Sequence, residues 1–261
     1  MQSLQTIRIE RSEGVAFVTF DRIRKHNVIS ELMREELVAA FDHFARDDET
    51  RVIVLTGGGD RSFCAGTDVE EFLGRPPAEQ WRRDVSPARL FEVIERCPKP
   101  TIAMINGYAF GGGCEIALAC DVRICGDKAE LGLLEINFGL FPGGGGTQRL
   151  ARLVGRGQAM RLVLSGDRID ASEAFRIGLV ELLCAQDELR ATTEDFARRL
   201  ARHDPMALQF AKASIVAADE MPLSSGLRYE ASLMALVMQA GGQEERISSF
   251  VNKSRTGKRP R

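Results

Sequence analysis

The chain is poor in several residue types on which common chemistries depend. It has three histidines, His26, His43 and His203, and no pair of its six cysteines shows C-x-x-C spacing. A zinc cluster is therefore not expected, and no Ser–His–acid set stands out. The cysteines, at 64, 97, 114, 120, 125 and 184, mostly have apolar or small neighbours, as buried free thiols in a reducing compartment would. No apolar run is long enough to span a bilayer. The N-terminus lacks the charged start, apolar middle and cleavage site of a secretory signal, so a cytoplasmic location is expected. A net charge of −2 gives no global field for nucleic acid or anionic membrane.

What remains is a soluble globular composition: 261 residues, 44% hydrophobic and 28% charged, enough for one core or a core with an appendage. Residues 6–10 and 15–20 read as strands joined at Ser12–Gly14. Ser30 caps a helix to about residue 46, with Leu32, Leu37, Phe41 and Phe44 near helical spacing. Residues 51–56 form a near-continuous apolar run, as in a strand buried on both faces of a parallel sheet. Residues 101–105 read as a strand, 113–120 as a helix and 122–125 as a strand. Such alternation indicates an α/β fold with a mostly parallel sheet. Ligands bind beyond the carboxyl ends of such strands, where the glycine turns at 57–59 and 111–113 fall. The polar stretch 73–86 is either a surface excursion or a lid. From residue 148 helices prevail, at 148–165, 170–178, 186–202, 205–218 and 222–250. A boundary near residue 200 separates a core, 1–200, from a helical part, 201–261.

Three stretches carry candidate chemistry. Asn106–Glu115 (NGYAFGGGCE) places Gly111, Gly112 and Gly113 at a helix start, where free N–H groups suit a developing negative charge. Glu115 follows in an apolar helix, either as a partner of the helix dipole or as a buried general acid or base. Ser62–Val69 contains small residues that let backbone amides face a ligand. Gly132–Thr147 puts Glu135 in an apolar frame and follows it with four glycines, 143–146. Desolvation raises the pKa of both acids and brings them within range of proton transfer.

These stretches, with Asp21–Asn27 (DRIRKHN), Lys99–Ala103 (KPTIA), Phe141–Arg149 (FPGGGGTQR), Leu164–Ile169 (LSGDRI) and Phe250–Lys253 (FVNK), make the chain resemble the enoyl-CoA hydratase/isomerase, or crotonase, family. The likeness runs from about residue 5 to 254 and is closest to the hydratases. It implies a spiral of ββα units with a helical C-terminal trimerisation part, assembled as a homotrimer or a hexamer (a dimer of trimers). It implies an acyl-CoA thioester substrate, with coenzyme A as part of the substrate, no other cofactor and no metal. By matching motifs, the Thr67 and Gly112 amides form the oxyanion hole, Glu115 activates water, Glu135 protonates C2, and Gly143 helps hold the water. Lys25, His26, Cys64, Ala65, Gly66, Asp68, Val69, Phe250 and Lys253 are the implied coenzyme A contacts. Phe72, Trp81, Leu90, Phe91, Phe138 and Phe141 are the candidate acyl-pocket walls.

Retention of both acids favours water addition across C2=C3. A double-bond isomerase, or a hydratase/lyase acting on a specialised acyl-CoA, is the alternative. An RNA-binding role for the basic tail, Lys253, Arg255, Lys258, Arg259 and Arg261, is disfavoured by the overall charge. Ile23 replaces the usual proline and Thr67 the usual alanine, which bears on substrate more than on reaction class.

Overall fold

The computed structural model describes residues 4–73 and 88–255. Trp81 and most of the stretch 73–86 lie outside them, as do Lys258, Arg259 and Arg261. By contacts the chain divides into two units, Met1–His203 and Asp204–Arg261.

The first unit repeats a strand–strand–helix pattern four times. The repeats are β1 (Ile7–Ser12), β2 (Val15–Phe20), α1 (Glu31–Phe44); β3 (Val52–Gly57), β4 (Ser62–Cys64), α2 (Ala88–Glu95); β5 (Thr101–Ile105), β6 (Tyr108–Phe110), α3 (Gly112–Ala119); and β7 (Val122–Gly126), β8 (Glu130–Gly132), α4 (Gly146–Ser165). This is the expected spiral of ββα units. It continues through β9 (Ile169–Asp170), α5 (Ala171–Arg176), β10 (Leu182–Cys184) and α6 (Leu189–Ala201). The first strand of each later repeat enters a six-stranded sheet of order β1-β2-β3-β5-β7-β10, and the second enters a four-stranded sheet of order β4-β6-β8-β9. Pairing is parallel except for β1–β2 and β8–β9.

The reasons are local. Every residue of β3 and β5 is buried, so their runs are apolar without alternation. Ser30 accepts the Met33 N–H and starts α1, and Asp170 does the same for Glu173 at α5, as side-chain caps do. The inward face of α1 uses Met33, Leu37, Phe41 and Phe44, while Leu32 is exposed. The main core lies where α1 to α4 meet the sheets. A smaller core sits between the outer face of the large sheet and α6.

Two expectations need correction. The glycines 111–113 do not follow strand 101–105 directly, because Asn106-Gly107 turns the chain into β6 first. The helical stretch 222–250 is two helices, α8 (Leu223–Ala240) and α9 (Gln243–Arg255). Gly241 and Gly242 separate them at φ 78° and 87°, the left-handed region that glycine enters at little cost.

The second unit consists of α7 (Pro205–Ala217), α8 and α9. Among its described residues only Ala217 is a buried hydrophobic, whereas Ile215, Leu223, Leu227, Met234 and Phe250 are exposed. No helix among the described residues is long and apolar enough to cross a membrane.

Candidate active site

Glu115 sits in α3, all of whose residues are buried. Its Oε1 accepts the N–H groups of both Gly144 and Gly146 at 2.8 Å. Gly146 is the first residue of α4, so the carboxylate lies at that helix's positive end, where negative charge is stabilised. Burial pushes the Glu115 pKa up, and the two amides and the Arg149 charge pull it part of the way back. The result is a carboxyl with a raised pKa whose anion is nonetheless held by fixed donors.

Glu135 opens a 3-10 turn, Glu135–Phe138, just after β8. A Cβ placed on Gly111 would lie 3.1 Å from Glu135 Oε1, so the second acid stands against the turn that starts α3, four residues from Glu115. Its Oε2 is buried with no hydrogen-bond partner. Burial, reinforced by the Glu115 charge, pushes its pKa up to about 7. A buried polar oxygen with no partner is costly, and protonation relieves part of that cost.

Two main-chain amides face the same region. Ile29 and Thr67 form a single parallel bridge: the Ile29 N–H donates to Gly66 O, and the Asp68 N–H donates to Ile29 O. Amides alternate in direction along an extended chain, so the Thr67 N–H points away from Ile29 and is left unused by the bridge. Gly112 opens α3, and its N–H has no acceptor within the helix. A Cβ on Gly112 would fall 3.5 Å from Thr67 N and 3.0 Å from Thr67 Oγ1, so the two donor segments are neighbours. Gly113 fixes this closeness, because a Cβ there would sit 2.9 Å from Cys64 Cβ and collide with the Cys64 carbonyl.

The other candidates have the following places. Lys25 is exposed and reaches Asp68 at 3.5 Å and Glu70 at 2.9 Å, while Arg22 holds Asp68 at 3.0 Å. His26 adopts a left-handed conformation, and its Nδ1 lies 3.0 Å from Ser62 Oγ. Its carbonyl accepts the Ala65 N–H. Cys64 is buried, and desolvation pushes its thiol to about 12, so it is no nucleophile. Val69 is exposed beyond Gly66 and Thr67. Leu90 and Phe91 belong to the main core. The Phe91 ring packs so tightly on Gly144 that any Cβ there would fall inside it, which puts this ring beside Glu115. Phe138 and Phe141 are 68% and 70% exposed. Phe72 ends the 3-10 turn Val69–Phe72. Phe250 is exposed on α9 of the second unit, the helix that also contains Lys253.

The amides that meet the Glu115 carboxylate are those of Gly144 and Gly146, directly after Gly143, the glycine that the motif implies for the water. A run of four glycines has no side chains to tell its members apart, so only the fold identifies the two.

Two open amides beside one buried and one half-buried carboxyl invite comparison with proteins of known structure and name. The family model for enoyl-CoA hydratase/isomerase matches residues 10–257. The short-chain-enoyl-CoA hydratase of Clostridium acetobutylicum is 33% identical over 250 residues, 96% of each chain. The 2,3-dehydroadipyl-CoA hydratase of Escherichia coli is 38% identical over 245 residues, 94% of this chain and 95% of its own. The crystal structure of enoyl-CoA hydratase from Bacillus anthracis superposes with a TM-score of 0.91 at 37% identity, covering 95% of this chain and 97% of that one. With the profile, near full-length relatives and the fold in agreement, the chain belongs to the enoyl-CoA hydratase/isomerase family.

Proposed function

We propose that the protein is an enoyl-CoA hydratase, a hydro-lyase that reversibly adds water in syn fashion across the C2=C3 bond of a 2-enoyl-CoA. One observation carries the assignment of roles: a buried acid, Glu115, and a half-buried one, Glu135, unequally held, stand next to two amides that the fold leaves open. The thioester oxygen binds between Thr67 N–H and Gly112 N–H, which stabilise the charge that gathers there as the enolate forms. Loss of one such donor costs roughly 3–4 kcal/mol of barrier lowering. Glu115, whose anion accepts the Gly144 and Gly146 amides, takes a proton from water as the oxygen bonds to C3. Glu135, whose raised pKa of about 7 keeps a substantial share of it protonated near neutrality, gives its proton to C2. One proton enters the site on Glu115 as another leaves from Glu135, so the addition balances. The next turnover requires only that the two acids exchange protonation states.

Coenzyme A enters as part of the substrate, and the reaction as written needs no metal or further cofactor. Lys25 and His26 lie on the approach to the Cys64–Val69 segment, along which the pantetheine would run. The exposed apolar residues of the C-terminal helices support a homotrimer or hexamer, and six cysteines without a disulfide suit a cytoplasmic enzyme.

Incubation with crotonyl-CoA tests the reading. Loss of the enoyl-thioester absorbance with formation of 3-hydroxybutyryl-CoA is expected. No hydration, but interconversion of 2- and 3-enoyl isomers, would assign the chain to the isomerases instead.

A further inference from the structure

Each of the three guanidinium nitrogens of Arg149 donates to one of two partners that flank the Glu115 site. Its Nε and Nη2 hold the two carboxylate oxygens of Glu95 at 2.8 and 2.7 Å, and its Nη1 donates to Gly144 O at 2.9 Å. Gly144 is the residue whose own N–H holds Glu115 Oε1. Glu95 closes α2, and Phe91 of the same helix covers the other side of Gly144. The Arg149 side chain is only 16% exposed.

A run of four glycines has the largest backbone freedom available to a chain. Left to itself, Gly143–Gly146 would not present two N–H groups to one carboxylate oxygen. Something outside the run must fix it, and among the described residues the side chain seen to hydrogen-bond it besides Glu115 is Arg149. The requirement also selects arginine over lysine. A planar fork can grip a carboxylate with two nitrogens and still aim a third at a carbonyl, whereas an ammonium is a compact point charge.

We propose that Arg149, anchored by Glu95, is a positioning residue for hydration: it clamps Gly144 so that the Gly144 and Gly146 amides hold Glu115 in its working orientation. The proposal rests on Glu115 being the base. Its effect reaches substrate only through that residue. The charged and titratable groups that face Glu115 are Glu135 from the turn after β8, Arg149 from α4 and the Cys114 thiol beside it on α3. Glu95 stands behind Arg149. Removing Arg149 takes away a nearby positive charge and loosens an amide donor, and both changes favour the protonated form of Glu115.

The test compares R149M, R149K and E95Q with wild type in crotonyl-CoA hydration across pH. R149M is expected to lose kcat by roughly 100-fold, the scale of a misplaced catalytic group. Its KM should stay within about twofold, since ground-state binding is untouched, and the acid limb of its kcat profile should move to higher pH. R149K and E95Q should show smaller losses in the same direction. A pair that merely ties α2 to α4 would lower thermal stability and leave the acid limb in place, and that outcome overturns the proposal. So does a folded R149M with wild-type kcat. Should R149M fail to fold, unshifted acid limbs in both R149K and E95Q overturn it equally. E115Q is run in parallel: full turnover there removes the role of Glu115 itself, whereas an inactive E115Q beside an unaffected R149M removes only that of Arg149.

Discussion

Glu115 receives two main-chain N–H bonds on one oxygen, while Glu135, whose pKa its charge helps to raise, keeps Oε2 buried with no donor. The asymmetry divides the labour. Two donors to one oxygen of the anion suit Glu115 to the base's part, and burial, only partly offset by its own backbone amide, suits Glu135 to the acid's. Activity should therefore trace a bell against pH. Its alkaline limb should fall as pH rises through about 7, where Glu135 loses its proton, and its acid limb should report Glu115. A kcat profile still rising above pH 8 would contradict the donor role of Glu135.

Glu115→Gln and Glu135→Gln should each lower kcat by about 100-fold to 10,000-fold, the usual contribution of a general acid or base. Thioester binding should survive in both, because neither carboxyl carries the affinity for coenzyme A. Turnover and ligand affinity, measured separately by stopped-flow and by calorimetry with a non-reactive acyl-CoA, decide this. A variant that keeps wild-type kcat loses its assigned role.

Thr67 offers a way to test a main-chain donor with an ordinary substitution. Its N–H takes no part in the bridge to Ile29, which uses the Ile29 and Asp68 amides. Thr67→Pro thus deletes the proposed oxyanion donor while sparing both bridge bonds, and kcat should fall by roughly 100-fold to 1,000-fold. Thr67→Ala keeps the N–H and should change kcat by less than about tenfold. Equal losses in the two variants would show that the hydroxyl, and not the amide, is the working group.

How much of this was readable beforehand depends on signal length. The run 51–56 identifies β3, and the Ser30 and Asp170 caps locate two helix starts, because each has several residues or one specific side chain to declare it. The second sheet is almost silent in periodicity terms. Its strands β4, β6 and β8 have three residues each, too few for an alternation to show. They could be expected only through the family resemblance. Glu115 and Glu135 announced themselves as acids in apolar surroundings. Arg149 did not, since its target is a glycine carbonyl and its anchor, Glu95, is an ordinary-looking helix terminus far away in sequence.

Gly144 should tolerate no side chain. A Cβ there would lie 2.6 Å from Glu115 Oε2 and inside the Phe91 ring. Gly144→Ala must displace either a core aromatic or the carboxylate, at a cost of about 1–3 kcal/mol for overpacking. Unfolding in urea should show the destabilisation, and kcat should fall with it. Gly143→Ala, whose added Cβ would meet nothing closer than Phe141 O at 3.9 Å, should be far milder. If the two variants behave alike, the amide assignments at this turn are wrong.

The same burial that equips Glu135 for proton donation should make it a pH-dependent burden on the fold. Its native pKa of about 7 lies above the ordinary 4.5, so between those values the folded chain holds a proton that the unfolded chain has released. Stability then falls as pH rises. The contribution of the protonated acid is complete below about pH 4.5 and is lost as pH passes through about 7. At 1.36 kcal/mol per pKa unit the swing is on the order of 3 kcal/mol. Glu135→Gln cannot ionise, so it escapes the penalty. Relative to wild type it should gain stability on going from pH 5 to pH 8, the gain appearing in urea midpoints measured at both values. Glu115, raised in the same direction, is present in both proteins, and its repulsion of an ionised Glu135 is part of the penalty that the variant escapes. A difference between variant and wild type that stays constant across this range would mean that Glu135 is not held neutral by the fold, and its place as the proton donor would fall with it.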